Sequence, residues 1–156
     1  MSLNSNNAFE EVVSTLPQTT YRPGDTILTA GSKTGRLLIL KKGTVVILNG
    51  STEIARVDHP GAVIGEIAAL LDRPHSADVR ALTDSQFYVA DATLIDKDPA
   101  ALLHVARILA GRLVEANDNF AELRNQIQSG QSPGALSKIL KKMEEILSIG
   151  GISYET

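Results

Sequence analysis

The residues with most chemical potential lie close together, as Gly65-Glu66-Ile67-Ala68 and then Pro74-His75-Ser76-Ala77. Between and around them the chain reads as a strand ending in glycine, a short helix, a proline-containing turn and a new strand. A helix beginning near Gly65 leaves its first N–H groups without intrahelical partners. Those groups and the helix dipole form a ready anion site. Gly65 lets a ligand approach the backbone, and Glu66 can accept hydrogen bonds from hydroxyls. The plainer alternative is that Glu66 complements the dipole and Gly65 only turns the chain.

Other chemistries are poorly served. The chain has no cysteine, which excludes disulfides, thiolate metal sites and a Cys nucleophile. His59 sits in the turn sequence Asp58-His59-Pro60-Gly61, and His104 in a helical stretch. No His-x-His pair supports a metal site. No Gly-x-Ser-x-Gly elbow or P-loop is present. The expectation is no enzyme activity, no metal and no cofactor.

The elements that must position Glu66 and His75 follow from pattern. The 156 residues suggest one domain with an appendage. The chain is 43% hydrophobic, enough for one sizeable core, with a net charge of -3. A basic nucleic-acid footprint is therefore absent. No apolar run reaches the roughly 20 residues that span a bilayer, and Met1–Asn7 lacks a signal-peptide layout. These features predict a cytoplasmic protein that contacts neither nucleic acid nor membrane.

Residues 1–20 hold Phe9, Val12, Val13 and Leu16 at helical spacing, ended by Pro17. Residues 21–98 hold seven of the twelve glycines and many short β-branched or aliphatic runs, which predicts a β-sandwich or barrel. Asn49-Gly50 between two such runs predicts a tight hairpin. Over 99–129, Leu102, Ala106, Leu109, Leu113, Ala116, Phe120, Leu123 and Ile127 recur at alternating spacings of four and three. That is a heptad seam, and Pro99 fits the first turn of its helix. Residues 130–134 read as a linker. Residues 135–156 contain a short amphipathic tail helix with a stripe of Leu136, Ile139, Leu140, Met143, Ile146 and Leu147.

The stretch from Gly65 to Ala77 resembles the phosphate-binding cassette of the cyclic-nucleotide-binding domain family, which includes the catabolite activator protein and protein kinase A regulatory subunits. The family pattern is Gly-Glu-(Leu/Ile/Met)-Ala, then Pro-Arg-(Ser/Thr/Ala)-Ala. Upstream, Tyr21 to Leu28 looks like the family's entry strand, and Arg36 to Val45 like its glycine-punctuated second and third strands. The resemblance covers roughly residues 8–127. It implies an α+β, mainly β, fold: an eight-stranded β jelly roll flanked by helices, with a long C-terminal heptad helix. It also implies a regulatory, ligand-sensing role. In the family, cassette backbone and an Arg hold the cyclic phosphate, and the Glu binds the ribose hydroxyl. By position these roles fall to Gly65, Glu66, Ile67 and Ala68.

His75 departs from the pattern by standing where the family has its phosphate-binding Arg. Arg is always charged and offers phosphate a bidentate fork, whereas His is mostly neutral at pH 7. Losing a charged hydrogen bond worth roughly 1.5–3 kcal/mol weakens binding roughly 10- to 150-fold. Arg73, two residues away, is a candidate substitute, and Ser76 could touch phosphate or base. The expected ligand is cAMP, cGMP or another small anion.

In family members similar to the catabolite activator protein, the long helix pairs two subunits, so the seam predicts a homodimer. Ala106 and Ala116 would let the helices approach closely. Only 27 residues follow Ser129, too few for the winged helix-turn-helix that many bacterial relatives append. Two functions follow as expectations. One is a sensor that transmits ligand occupancy through its long helix. The other is a ligand-free version of the same fold acting as a dimerisation or interaction module.

Overall fold

The computed structural model describes residues 3–130 and 133–148, with side chains from Ala8 to Gly130 and from Pro133 to Met143. The expected contributions of Ile146, Leu147 and the extreme tail lie outside the described residues and side chains. Eight strands form two four-stranded antiparallel sheets. The first orders β1 (Gln18–Tyr21), β8 (Ser85–Asp91), β3 (Arg36–Lys42) and β6 (Val63–Ile64). The second orders β2 (Thr26–Leu28), β7 (Asp78–Ala81), β4 (Val45–Asn49) and β5 (Thr52–Val57). Five helices surround them: α1 (Leu3–Ser14), α2 (Glu66–Leu70), α3 (Ala92–Lys97), α4 (Pro99–Gln128) and α5 (Pro133–Ser148). This is the eight-stranded jelly roll with flanking helices that the family resemblance implies, and the pattern of short strands predicts a sandwich or barrel.

The core has two compartments. Between the sheets, Leu38, Leu40, Val45, Ile47, Val57 and Phe87 pack together. On the outer face of the first sheet, Leu37, Ile39, Val63 and Ala90 meet Phe9 and Val13 of α1, Ile95 of α3 and Ala101 of α4. Strand β3 serves both compartments, so Leu37 to Leu40 are all buried. A strand covered on both faces needs no apolar–polar alternation, which explains its continuous apolar run.

Local details differ from the sequence-based expectation in two places. Tyr21 to Leu28 is not one strand. Tyr21 ends β1 and Thr26 begins β2, and a turn at Arg22–Asp25 carries the chain from one sheet to the other. The first strand begins at Gln18, inside the zone assigned to the N-terminal helix. The hairpin does form, with Asn49 paired to Thr52 and Gly50 at φ 61° supplying the left-handed turn.

Helix α4 begins where Asp98 accepts hydrogen bonds from the N–H groups of Ala100 and Ala101, at 2.9 and 3.3 Å. Its packed stripe runs through Ala101, Val105, Ile108, Arg112, Ala116 and Asn119, all buried or half-buried. These recur about every 3.6 residues, the period of a straight helix. The heptad seam lies one residue further on. Leu102, Leu113, Phe120 and Ile127 of that seam are 46, 61, 56 and 60% exposed. Ala106 is also exposed, Leu109 and Leu123 are half-buried, and only Ala116 belongs to both stripes. The seam is therefore not what docks α4 onto its own roll.

Helix α5 lies against α4 and β5, burying Ile139 and Met143 while Leu140 remains exposed. Half of its leading apolar stripe is thus covered within the chain. Among the described residues, no helix is long and apolar enough to cross a membrane.

Phe87 has no solvent exposure and meets the Tyr21 ring edge-on, with centroids 6.0 Å apart. Phe87→Ala is expected to cost about 3–5 kcal/mol through lost contacts and the cavity left behind. Urea denaturation read by far-UV circular dichroism measures this directly.

Candidate functional site

The sequence signature folds into one compact corner. Strand β6 ends at Ile64, and Gly65 turns the chain into α2 with φ 86° and ψ 4°. A Cβ at Gly65 would sit 2.8 Å from the Arg36 carbonyl oxygen and 3.3 Å from His75 Cε1. Both the dihedral and the crowding require glycine. Helix α2 has only five residues, so its dipole is smaller than an extended helix would supply. Gly65, Glu66, Ile67 and Ala68 are all buried at its start.

Glu66 is the decisive side chain. It has no solvent exposure and pairs with Nη1 of Arg112 on α4 through Oε1. Its other oxygen, Oε2, is buried and has no hydrogen-bond partner among the described residues. Burial pushes the Glu66 carboxyl above its ordinary pKa, and the Arg112 charge only partly opposes the shift. A carboxylate so placed has one oxygen held and one open to a donor.

His75 is buried at 4% exposure. The 29–35 loop holds it from three sides. The His75 N–H donates to the Ser32 carbonyl at 2.8 Å, and the Gly31 N–H donates to the His75 carbonyl at 2.8 Å. Its Nε2 shares a 2.8 Å hydrogen bond with Thr34 Oγ1. Burial lowers the imidazole pKa, which favours the neutral ring. Ser76 is half-buried beside it.

Arg73 stands apart. It is exposed on the turn after α2, where its N–H bonds the Ala68 carbonyl at 3.0 Å. The preceding Asp72 takes φ 51° and pairs with Lys33 on the surface. The cation that reaches the cassette is thus Arg112 rather than Arg73. Sequence reasoning missed Arg112 and Thr34. One sign of Arg112 was available, because it is a cation on the apolar 3.6-residue stripe of α4. Among the described residues, no cluster of three metal-ligating side chains occurs.

The model of the cyclic nucleotide-binding domain family matches residues 18–97, just over half of the chain. The chain belongs to the cyclic nucleotide-binding domain family. Solved structures agree on the fold. The Thermus thermophilus catabolite activator protein superposes with a TM-score of 0.63 at 19% identity, covering 88% of this chain and 82% of that one. PKAR CBD2 with bound Sp-2Cl-cAMPS gives 0.57 at 21% identity, covering 81% and 80%. The N-terminal domain of a transcriptional regulator from Streptomyces coelicolor A3(2) gives 0.53 at 27% identity, covering 70% and 81%. In this cyclic nucleotide-binding domain, Gly65, Glu66 and His75 form one buried corner at the start of α2.

Breaking the buried pair has an asymmetric cost. Arg112→Leu leaves an unpaired buried carboxylate and is expected to destabilise the fold by about 3–5 kcal/mol at neutral pH. The double variant Glu66→Leu/Arg112→Leu removes both charges and should recover most of that loss. Chemical denaturation of both variants checks this. The single-variant deficit should shrink on acidification, because protonating Glu66 removes its charge.

Proposed function

We propose that this domain senses a cyclic nucleotide, or a similar anion carrying a hydroxyl, and reports its binding through α4. The observation that carries the reading is Glu66, with Oε1 held by Arg112 and Oε2 open. A ligand hydroxyl would donate to Oε2, while the cyclic phosphate would lie against the Gly65–Ala68 backbone. A hydroxyl that withdraws charge from Glu66 weakens its hold on Arg112. The cassette and α4 are joined by that pair, so ligand binding changes how firmly the helix is held. Such a signal needs a ligand with different affinities for the two helix positions.

His75 sets the terms for phosphate. In the ligand-free domain its ring is neutral, buried and bonded to Thr34. A bound phosphate favours the imidazolium. Affinity should therefore rise as pH falls below the ordinary histidine value of about 6.5. In the ligand-free domain the sign is opposite. A lowered native pKa means that His75 contributes stability above that pH and loses it as pH falls.

The reader of α4 is proposed to be a second copy of this chain. The exposed seam at Leu102, Leu113, Phe120 and Ile127 has the heptad spacing of a coiled coil. A ligand-free interaction module is the second reading, favoured by the burial of His75 against Gly65. No catalytic role is assigned to either.

Thermal unfolding with cyclic AMP, cyclic GMP and a linear monophosphate separates these readings. At 100 times its Kd, a ligand should stabilise the domain by about 2.7 kcal/mol. A selective shift, larger at pH 6 than at pH 7.5, is expected. His75→Arg should tighten binding and flatten its pH dependence. No shift with either cyclic nucleotide at millimolar concentration would reject the sensor reading for those ligands. For the seam, Leu113→Glu should give monomers in analytical ultracentrifugation, and a persisting dimer would reject it.

A further inference from the structure

A cleft of about 830 Å³, with Arg112 among its lining residues, lies between α1, α4 and the outer face of the first sheet. Ligand pockets commonly span about 300–1,000 Å³, whereas packing voids rarely exceed a water molecule. Its wall is apolar, formed largely by Val13, Ile39, Val63 and Ile108. Phe9 and His104 close one side as a stacked pair, with centroids 3.8 Å apart and planes 12° from parallel. Burial and the nearby Arg107 lower the His104 pKa, so that wall is uncharged at neutral pH.

The charged groups of the cleft limit what it can hold. Arg112 lines it while donating to Glu66 through Nη1, its one hydrogen bond among the described residues. A guanidinium offers five N–H donors in a planar fork, so a second edge is available to an acceptor. Lys41 also lines it, engaged with Gln18 at 3.0 Å and lying 5.6 Å from the Tyr88 ring centre. Glu10 and Glu115 are exposed where they line the cleft. Two carboxylates there disfavour a polyanion such as a second nucleotide.

We infer that this cleft binds a small amphipathic monocarboxylate, with its hydrocarbon body against Val63 and Ile108 and its carboxylate on the free edge of Arg112. The site does not depend on whether the cassette binds a cyclic nucleotide. It shares Arg112 with Glu66, so its occupation competes for the charge that holds the cassette to α4.

The test titrates the whole chain with 4-phenylbutyrate and, separately, with its neutral amide, followed by methyl and amide NMR. The acid should give saturable shifts centred on Val13, Val63 and Ile108, with a Kd of roughly 0.1–1 mM, the scale expected for a dozen heavy atoms. The amide should bind roughly 10- to 150-fold more weakly, the loss expected for a charge-assisted bond. Ile108→Trp, which takes up the space beside Arg112 where the hydrocarbon body would lie, should weaken the shifts markedly. Equal affinity of acid and amide would overturn the carboxylate assignment without any variant. Shifts centred on Ile67 and Val79 would place the probe in the cassette and overturn the second site. So would the absence of saturable shifts up to about 10 mM, where even a weak ligand is seen.

Discussion

The structure depends on a carboxylate buried away from solvent. Glu66 lies at the junction of sheet, cassette helix and long helix, and its charge is tolerated because Arg112 reaches it from 46 residues away. Isolated buried charges cost several kcal/mol even after the protein relaxes. The fold therefore has reason to keep α4 where Arg112 can reach. Whatever moves the helix must find another partner for Glu66, protonate it or expose it. A hydroxyl arriving from a ligand would offer one such exchange.

The same pair places Arg112 between a tightly packed corner and an open cleft. On one side stand Gly65 and His75, which crowd together until only glycine fits. On the other lies the cleft between α1 and α4. One side chain thus pairs with Glu66 and lines the cleft.

Much of this was legible in the chain. Glycines placed between short apolar runs marked the strands, and the Gly65–Ala77 motif pointed to the family. The β1 strand was hidden because Gln18-Thr19-Thr20-Tyr21 alternates between exposed and half-buried and carries no apolar run. The β2 strand was merged with it because Pro23-Gly24-Asp25 is short and both neighbours are extended. The pairing of Glu66 with Arg112 was beyond pattern reading. Periodicity reports which face of a helix is buried, but not what it meets across the fold. Proximity in sequence points to Arg73 as the cation beside the corner, but it stays exposed on its turn. The fold instead drew its cation from a distant helix, since a turn exposed to water gives an arginine little reason to turn inward.

Two stripes run side by side along α4 and meet at Ala116. One follows the 3.6-residue period of a straight helix and faces the roll. The other follows a 3.5-residue repeat and faces outward. The two repeats diverge by about 20° per heptad, the mismatch that coiled coils absorb by winding left-handedly. A partner gripping the full length of the seam would therefore exert a torque on α4, felt along the face that carries Arg112. Ala116, where the stripes meet, is buried within the chain, so the partner's grip would fall on the exposed seam residues to either side of it. Assembly and cassette would then be coupled through torsion of one rod.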